Sequence, residues 1–246
     1  MQVALVSPQG LFLRSHYLKG NLPFDPKAQE WEKTTPLILP LSGQVIVQPI
    51  LSEPSIQSLT VRSLHNDKEI MISLEWLDPS KNDTLTVKKF RDGAAVGFSL
   101  GNASPLACMG QSGNPMNIWH WKADWQADVD RGKARQEKES TGIPKPRHPI
   151  LHGQRISSVE ELVASGTSTF TSKQIQGLVQ GNASWKDGRW IVVFKRALQP
   201  RDPKDSPIFA LHGEQFLSFA VWDGDRGERG GQKAISSWIT LKIDAG

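Results

Sequence analysis

In residues 69–78, EIMISLEWLD, apolar side chains recur at every second position. Ile70, Ile72, Leu74 and Trp76 share one face, and Met71, Ser73 and Glu75 share the other. Successive side chains of an extended chain point to opposite sides, so a period of two specifies a half-buried strand. Segments 84–90, 188–198, 215–224 and 234–243 are likewise rich in β-branched and aromatic residues and are bounded by Gly, Asp, Asn or Pro. Residues 37–51 and 58–67 read as two more, the first with prolines, Pro40 and Pro49, that suggest an edge position. Seven or more short strands with little helix between them predict an all-β fold, an antiparallel β-sandwich with a few short helices and long loops. A length of 246 residues suits one such domain spanning 1–246.

Helical signals are few. Residues 25–33, DPKAQEWEK, start with Asp25 and carry Pro26 at a first helical position. Residues 157–165, SSVEELVAS, offer a serine N-cap with a glutamate three positions on. The charged stretch 127–155, with Pro144, Pro146 and Pro149, reads as a long surface loop.

Composition excludes several chemistries. The single cysteine, Cys108, rules out an internal disulfide framework, a Cys-rich zinc site, an all-Cys iron–sulfur cluster and covalent CxxCH haem attachment. The net charge of +4 is mild and its Lys and Arg are spread along the chain, so no nucleic-acid partner is expected. No apolar run approaches the roughly 20 residues of a membrane span. The first 20 residues lack the basic region, apolar stretch and cleavage site of a secretory leader. That leaves a cytoplasmic chain, a mature form whose leader was removed, or export with a partner.

Catalytic signatures are missing as well: there is no GxSxG, P-loop, GxGxxG or HExxH. His148 and His152 stand four apart, but Pro149 breaks the helix that would aim both at one metal. DGDRGE, at 223–228, has the opening of a calcium loop without the later acidic ligands at the right spacing, and reads as a hairpin turn.

The densest unusual chemistry is in PLACMGQSGNPMNIWHWKADWQ, residues 105–126. It gathers the only cysteine, two of four methionines and three of nine tryptophans in a turn that runs into a short aromatic strand. Core packing explains such residues, since methionine fills irregular gaps and tryptophan covers large apolar area. A cofactor pocket explains them too, since a thioether is a soft metal ligand and a flat macrocycle needs a slot between apolar walls.

The order CMGQSGNPMNIWHWKADWQ, DGRWIVVFKRAL and FLSFAVWDGDRGERGGQKAISSW, within a similarity running from LPFDPKAQEWEK to SSWITLKI, resembles the haem-binding gamma subunit of the type II dimethyl sulfoxide reductase family. That group includes the gamma subunits of ethylbenzene dehydrogenase, dimethylsulfide dehydrogenase, chlorate reductase and nitrite oxidoreductase. The resemblance implies a β-sandwich holding one non-covalent haem b with a methionine and a lysine as axial ligands. Carried onto this sequence, the methionine is Met109 and the lysine Lys195, with Met116 as the alternative sulfur and His120 as the rival nitrogen. Trp119 and Trp121 alternate with His120 and are expected to line one wall of the cofactor pocket. Both faces of 190–198 are apolar up to the Lys195–Arg196 pair, so one of these two charges is expected to point inward, while a lysine snorkelling at a strand end is the competing reading.

A haem with both axial positions filled by protein cannot bind substrate. The resemblance therefore implies a non-catalytic electron-transfer subunit. It would relay electrons between the iron–sulfur subunit of a molybdenum enzyme, whose catalytic subunit is a separate chain, and a soluble cytochrome c. It also implies the periplasm or another extracytoplasmic compartment. A carbohydrate-binding module is the alternative from a different class, because tryptophan-rich sandwiches stack sugars on exposed indoles.

Overall fold

A computed structural model of the chain describes residues 10–101, 113–140, 155–166, 170–173, 178–201 and 205–244. The described residues form fourteen strands: β1 (Phe12–Tyr17), β2 (Leu37–Pro40), β3 (Ser42–Gly43), β4 (Ser58–His65), β5 (Glu69–Leu77), β6 (Gly93–Ser99), β7 (Met116–Lys122), β8 (Val159–Ala164), β9 (Phe170–Ser172), β10 (Gln180–Lys186), β11 (Arg189–Ala197), β12 (Glu214–Trp222), β13 (Ala234–Ile235) and β14 (Ile239–Ile243). Their hydrogen-bonded order is β10-β11-β5-β4-β1-β14-β12-β6-β7-β8-β9, with β2 added on β4 and β13 joining β12 to β3.

Pairing is antiparallel except at β1, which runs parallel to both β4 and β14. That strand joins two layers. β11, β5 and β4 lie on one side, β12, β6 and β7 on the other, and their inward side chains meet in one apolar cluster. Indoles and phenyl rings cross the gap: Trp76 to Trp121 at 6.3 Å, Trp190 to Trp121 at 5.0 Å and Phe194 to Trp119 at 6.4 Å between centroids. Burial of such large side chains contributes roughly 1.5–3 kcal/mol each, so this aromatic layer carries much of the cohesion between sheets. The expected sandwich is thus present, as a mixed rather than purely antiparallel sheet.

Local chemistry explains the clearest hairpin. Lys186 pairs with Arg189, and the two residues between them, Asp187 and Gly188, have φ of 53° and 70°. Two positive φ values make the turn whose twist matches the strands, and Asp-Gly is a favoured pair for it.

Three expected elements differ. Residues 157–165 carry the local signals of a helix, yet Val159–Ala164 form β8, because pairing with β7 and β9 on both sides overrides those weak propensities. The first part of the expected 127–155 loop belongs to helix α1 (Ala123–Ser140), supported by Gln126 donating to Asp130 at 2.9 Å and by an Arg131–Asp128 pair. Segment 84–90 forms no strand. Its Val87 is 96% exposed, so its β-branched residues have no layer to pack on. The start of the 25–33 segment is held by Asp25, which accepts from Lys27 N, and a 3-10 helix follows at Gln29–Lys33.

Candidate functional site

β7 positions most of the residues singled out above. Its alternation sends Asn117, Trp119 and Trp121 into the sandwich and Met116, Ile118 and His120 to the outer face. Trp119 and Trp121 are fully buried among Phe98, Phe194, Phe209, Trp76 and Trp190, so both indoles back the strand from the core side. Met109 and Cys108 lie outside the described residues, in the segment joining β6 to β7.

On the outer face of β6, β7 and β12 is a cavity of about 580 Å³. Cofactor and ligand sites span about 300–1,000 Å³. Its floor is flat because the outward residues of two neighbouring strands are small: Ala95 and Gly97 on β6, Ser218 and Ala220 on β12. At Gly97 the tip of the Met116 side chain fills the space a Cβ would take, 2.5 Å from Met116 Cε, so a larger residue there would displace that methyl. Ile118, Leu162, Trp222 and Ile235 add apolar wall, and Met116, His120 and Lys233 are its soft or basic donors.

The His120 ring stacks on Trp222 at 4.6 Å and keeps part of its surface open to the cavity. Burial, then the positive charges of Lys122, Arg91 and Lys233, hold its pKa well below the ordinary value, so at neutral pH it is an uncharged base. Glu160 at the rim pairs with Lys122, and Ser172 Oγ donates to its other oxygen at 2.7 Å. Burial resists ionisation of Glu160, yet the Lys122 and Ser172 hydrogen bonds outweigh it and hold the carboxyl below its usual range.

Lys195 is elsewhere. It belongs to the outer face of the other layer, beside Val193 and Met71, with its side chain 25% exposed, its Nζ 3.1 Å from Glu69 Oε1 and 5.5 Å from the Phe24 ring centre. The charge that turns inward is Arg196. Its guanidinium lies 5.2 Å from the Trp119 ring centre and 4.9 Å from that of Phe209, and it donates to the carbonyls of Pro207 and Ala197. Burial pulls its pKa down to about 10, opposed by Glu161, so it stays charged at neutral pH. The fold therefore brings Arg196 to Trp119 and sets Lys195 and the cavity on opposite outer faces. Strand parity could have put Arg196 with Trp190, Val192 and Phe194, but the equally apolar opposite face hid the choice.

The ethylbenzene dehydrogenase family model matches residues 28–234. A protein of Haloferax mediterranei, provisionally named a respiratory nitrate reductase haem subunit, is 28% identical over 93% of this chain and 71% of its own length. The chlorate reductase gamma subunit of Ideonella dechloratans is 26% identical over 91% of this chain and 81% of its own. A solved structure from Bacteroides uniformis, provisionally assigned to carbohydrate binding, superposes with a TM-score of 0.50 over 95% of this chain and 99% of its own, at 11% identity, which is a likeness of fold alone. With motifs, sandwich and family match in agreement, this chain belongs to the ethylbenzene dehydrogenase family of haem-binding gamma subunits.

Proposed function

We propose that this chain is a non-catalytic electron-transfer subunit carrying one non-covalent haem b, folded as a single domain. The family match over residues 28–234 is the observation that carries this reading. When bound, the haem supplies a one-electron iron couple whose potential a thioether ligand raises. The relay would run between the iron–sulfur subunit of a molybdenum oxidoreductase and an external carrier such as cytochrome c, in the periplasm or another extracytoplasmic compartment. Among the described residues no helix is long and apolar enough to cross a membrane.

For the axial ligands we propose Met109 and Lys195, on the motifs. Only a neutral amine has a lone pair to donate, so ligation requires Lys195 to release both its proton and Glu69. The cavity favours a second reading, in which the haem lies on the flat floor of β6 and β12 and draws a donor from Met116, His120 or Lys233. Its small-residue floor, apolar walls and uncharged imidazole fit a flat apolar macrocycle.

Absorption spectra of the dithionite-reduced protein, with pyridine haemochrome analysis, test the function. A Soret band and haem b haemochrome are expected. A colourless protein that binds glycans would sink the proposal and leave the carbohydrate-module reading. Met109→Ala and Lys195→Ala are expected to perturb the low-spin spectrum. Retention in both, with loss in Met116→Ala, His120→Ala or Lys233→Ala, would move the haem to the cavity.

A further inference from the structure

Three strand ends bring together carboxylates that are distant in sequence. Asp78 follows β5, Asp92 precedes β6 and Asp223 follows β12, and one carboxylate oxygen of each lies within 4.8 Å of the others. They are 1%, 0% and 7% exposed. No lysine or arginine among the described residues forms an ion pair with any of them. Buried charge without a counter-charge is strongly unfavourable, so this corner needs either protons or a cation.

Neutral donors hold the carboxylates in place. Asp92 accepts from Asn82 N at 2.7 Å, Gly224 N at 2.9 Å and Trp190 Nε1 at 2.9 Å. Asp223 accepts from Ser55 Oγ at 2.5 Å, Asp225 N at 2.9 Å and Arg226 N at 3.3 Å. Asp78 Oδ1 accepts from Ser80 N and Ser80 Oγ, both at 3.1 Å. Its Oδ2, by contrast, is buried with no hydrogen-bond partner among the described residues, and the Trp76 indole N–H, a nearby donor that favours the ionised form, is likewise left unpaired among them. A carboxylate offers about four lone-pair sites, so each of the three retains acceptor capacity.

We infer that Asp78, Asp92 and Asp223 form a binding site for a hard divalent cation, calcium, that ties the two layers of the sandwich together. The donor set is all oxygen, which selects calcium or magnesium over softer metals. Calcium binds oxygen at about 2.3–2.6 Å, so oxygens sharing one ion stand no more than roughly 5 Å apart, as these do. Asp78 comes from the layer of β5 and β11, Asp92 and Asp223 from the layer of β6 and β12. The DGDRGE stretch lacks acidic ligands at calcium-loop spacing because Asp78 and Asp92 supply them from elsewhere in the fold. Gly224 makes the approach possible: a Cβ there would lie 2.4 Å from the Phe90 carbonyl oxygen.

The test uses the full chain as purified, stripped with EGTA and titrated with calcium chloride. At a hundredfold excess over Kd, the melting temperature is expected to rise by roughly 5–10 °C. Terbium should show emission sensitised by Trp76 and Trp190 that added calcium quenches by displacement. Asp78→Asn should abolish both signals while retaining the β-sheet circular dichroism; if that variant does not fold, the wild-type terbium displacement decides. A melting temperature unmoved by calcium or EGTA, together with no calcium-displaceable terbium emission, would overturn the site and leave shared protons as the device that neutralises the corner. A response to magnesium alone would overturn the calcium assignment.

Discussion

Lys195 and Arg196 are neighbours on one strand and face opposite sides of the sandwich: the ammonium stands 3.1 Å from Glu69 on the outer face, while the guanidinium lies against both Trp119 and Phe209 in the core. Their contributions to stability should differ accordingly. The Lys195–Glu69 pair is screened by solvent, so in the haem-free protein Lys195→Ala should cost less than about 1 kcal/mol in urea unfolding. Arg196→Ala removes a buried charge from two aromatic faces and two carbonyls, and roughly 3 kcal/mol is expected. Equal costs for the two variants would contradict this placement. Lys195→Ala is therefore a clean probe of ligation, since its spectrum can be read in a folded protein.

Lys122 and Glu160 test a different balance. Burial lowers the Lys122 pKa despite its partner, whereas Glu160 is held below its usual range by that same partner. Desolvation wins at one end and attraction at the other, so the pair adds little net stability while each member depends on the other. Lys122→Ala alone should cost roughly 3 kcal/mol by stranding the carboxylate. The double variant Lys122→Met, Glu160→Leu should lie within about 1 kcal/mol of wild type. A double-mutant cycle by chemical denaturation measures both.

Strands β5, β11 and β12 were legible because their alternation or apolar content is dense and their ends carry turn residues. β6 was not. GAAVGFS has too few large side chains to show a period, and its small residues became meaningful only as the floor of the cavity. β8 was hidden by helix-like caps that long-range pairing overrides, and α1 by a charge content that reads equally as loop. The aromatic character of β7 was visible, but which side of Trp119 faces a cofactor depends on what packs behind the strand. Of the aspartate corner only Asp223 stood out, at the head of DGDRGE, and it read as part of a hairpin turn; Asp78, Asp92 and Asp223 meet only through the folding of two layers.

Two tryptophans on β7 give a paired prediction. Trp119 Nε1 is buried without a partner among the described residues, whereas Trp121 Nε1 donates to Gln126 Oε1 at 3.3 Å. Substitution by phenylalanine removes similar volume at both sites. In Trp119→Phe an unsatisfied donor also disappears, but in Trp121→Phe the buried Gln126 carbonyl loses its donor. Trp121→Phe should therefore be the more destabilising by about 1 kcal/mol. Trp119→Ala, which leaves a void among Phe98, Phe194 and Phe209, should cost roughly 3–5 kcal/mol. Guanidinium unfolding of the three variants decides the order.

The aspartate corner should make stability depend on pH when calcium is withheld. Burial, then the charge of Asp78, raises the Asp92 carboxyl from 3.8 to about 7, against the pull of its donors Asn82, Gly224 and Trp190. The folded state thus binds this proton more tightly than the unfolded chain. Its contribution is fully present below pH 3.8 and is lost as pH rises through about 7. Glu228, also raised to about 7 by burial, adds to the same trend. Histidines held neutral by burial act oppositely at low pH, so the informative quantity is the difference between wild type and Asp92→Asn, which keeps them constant. In EGTA that difference should shift against wild type by on the order of 4 kcal/mol between pH 4 and pH 8. Saturating calcium should flatten it, because the ion takes over the neutralising role of the proton. A difference independent of pH in EGTA would show that Asp92 titrates normally and that its corner is better hydrated than its burial indicates.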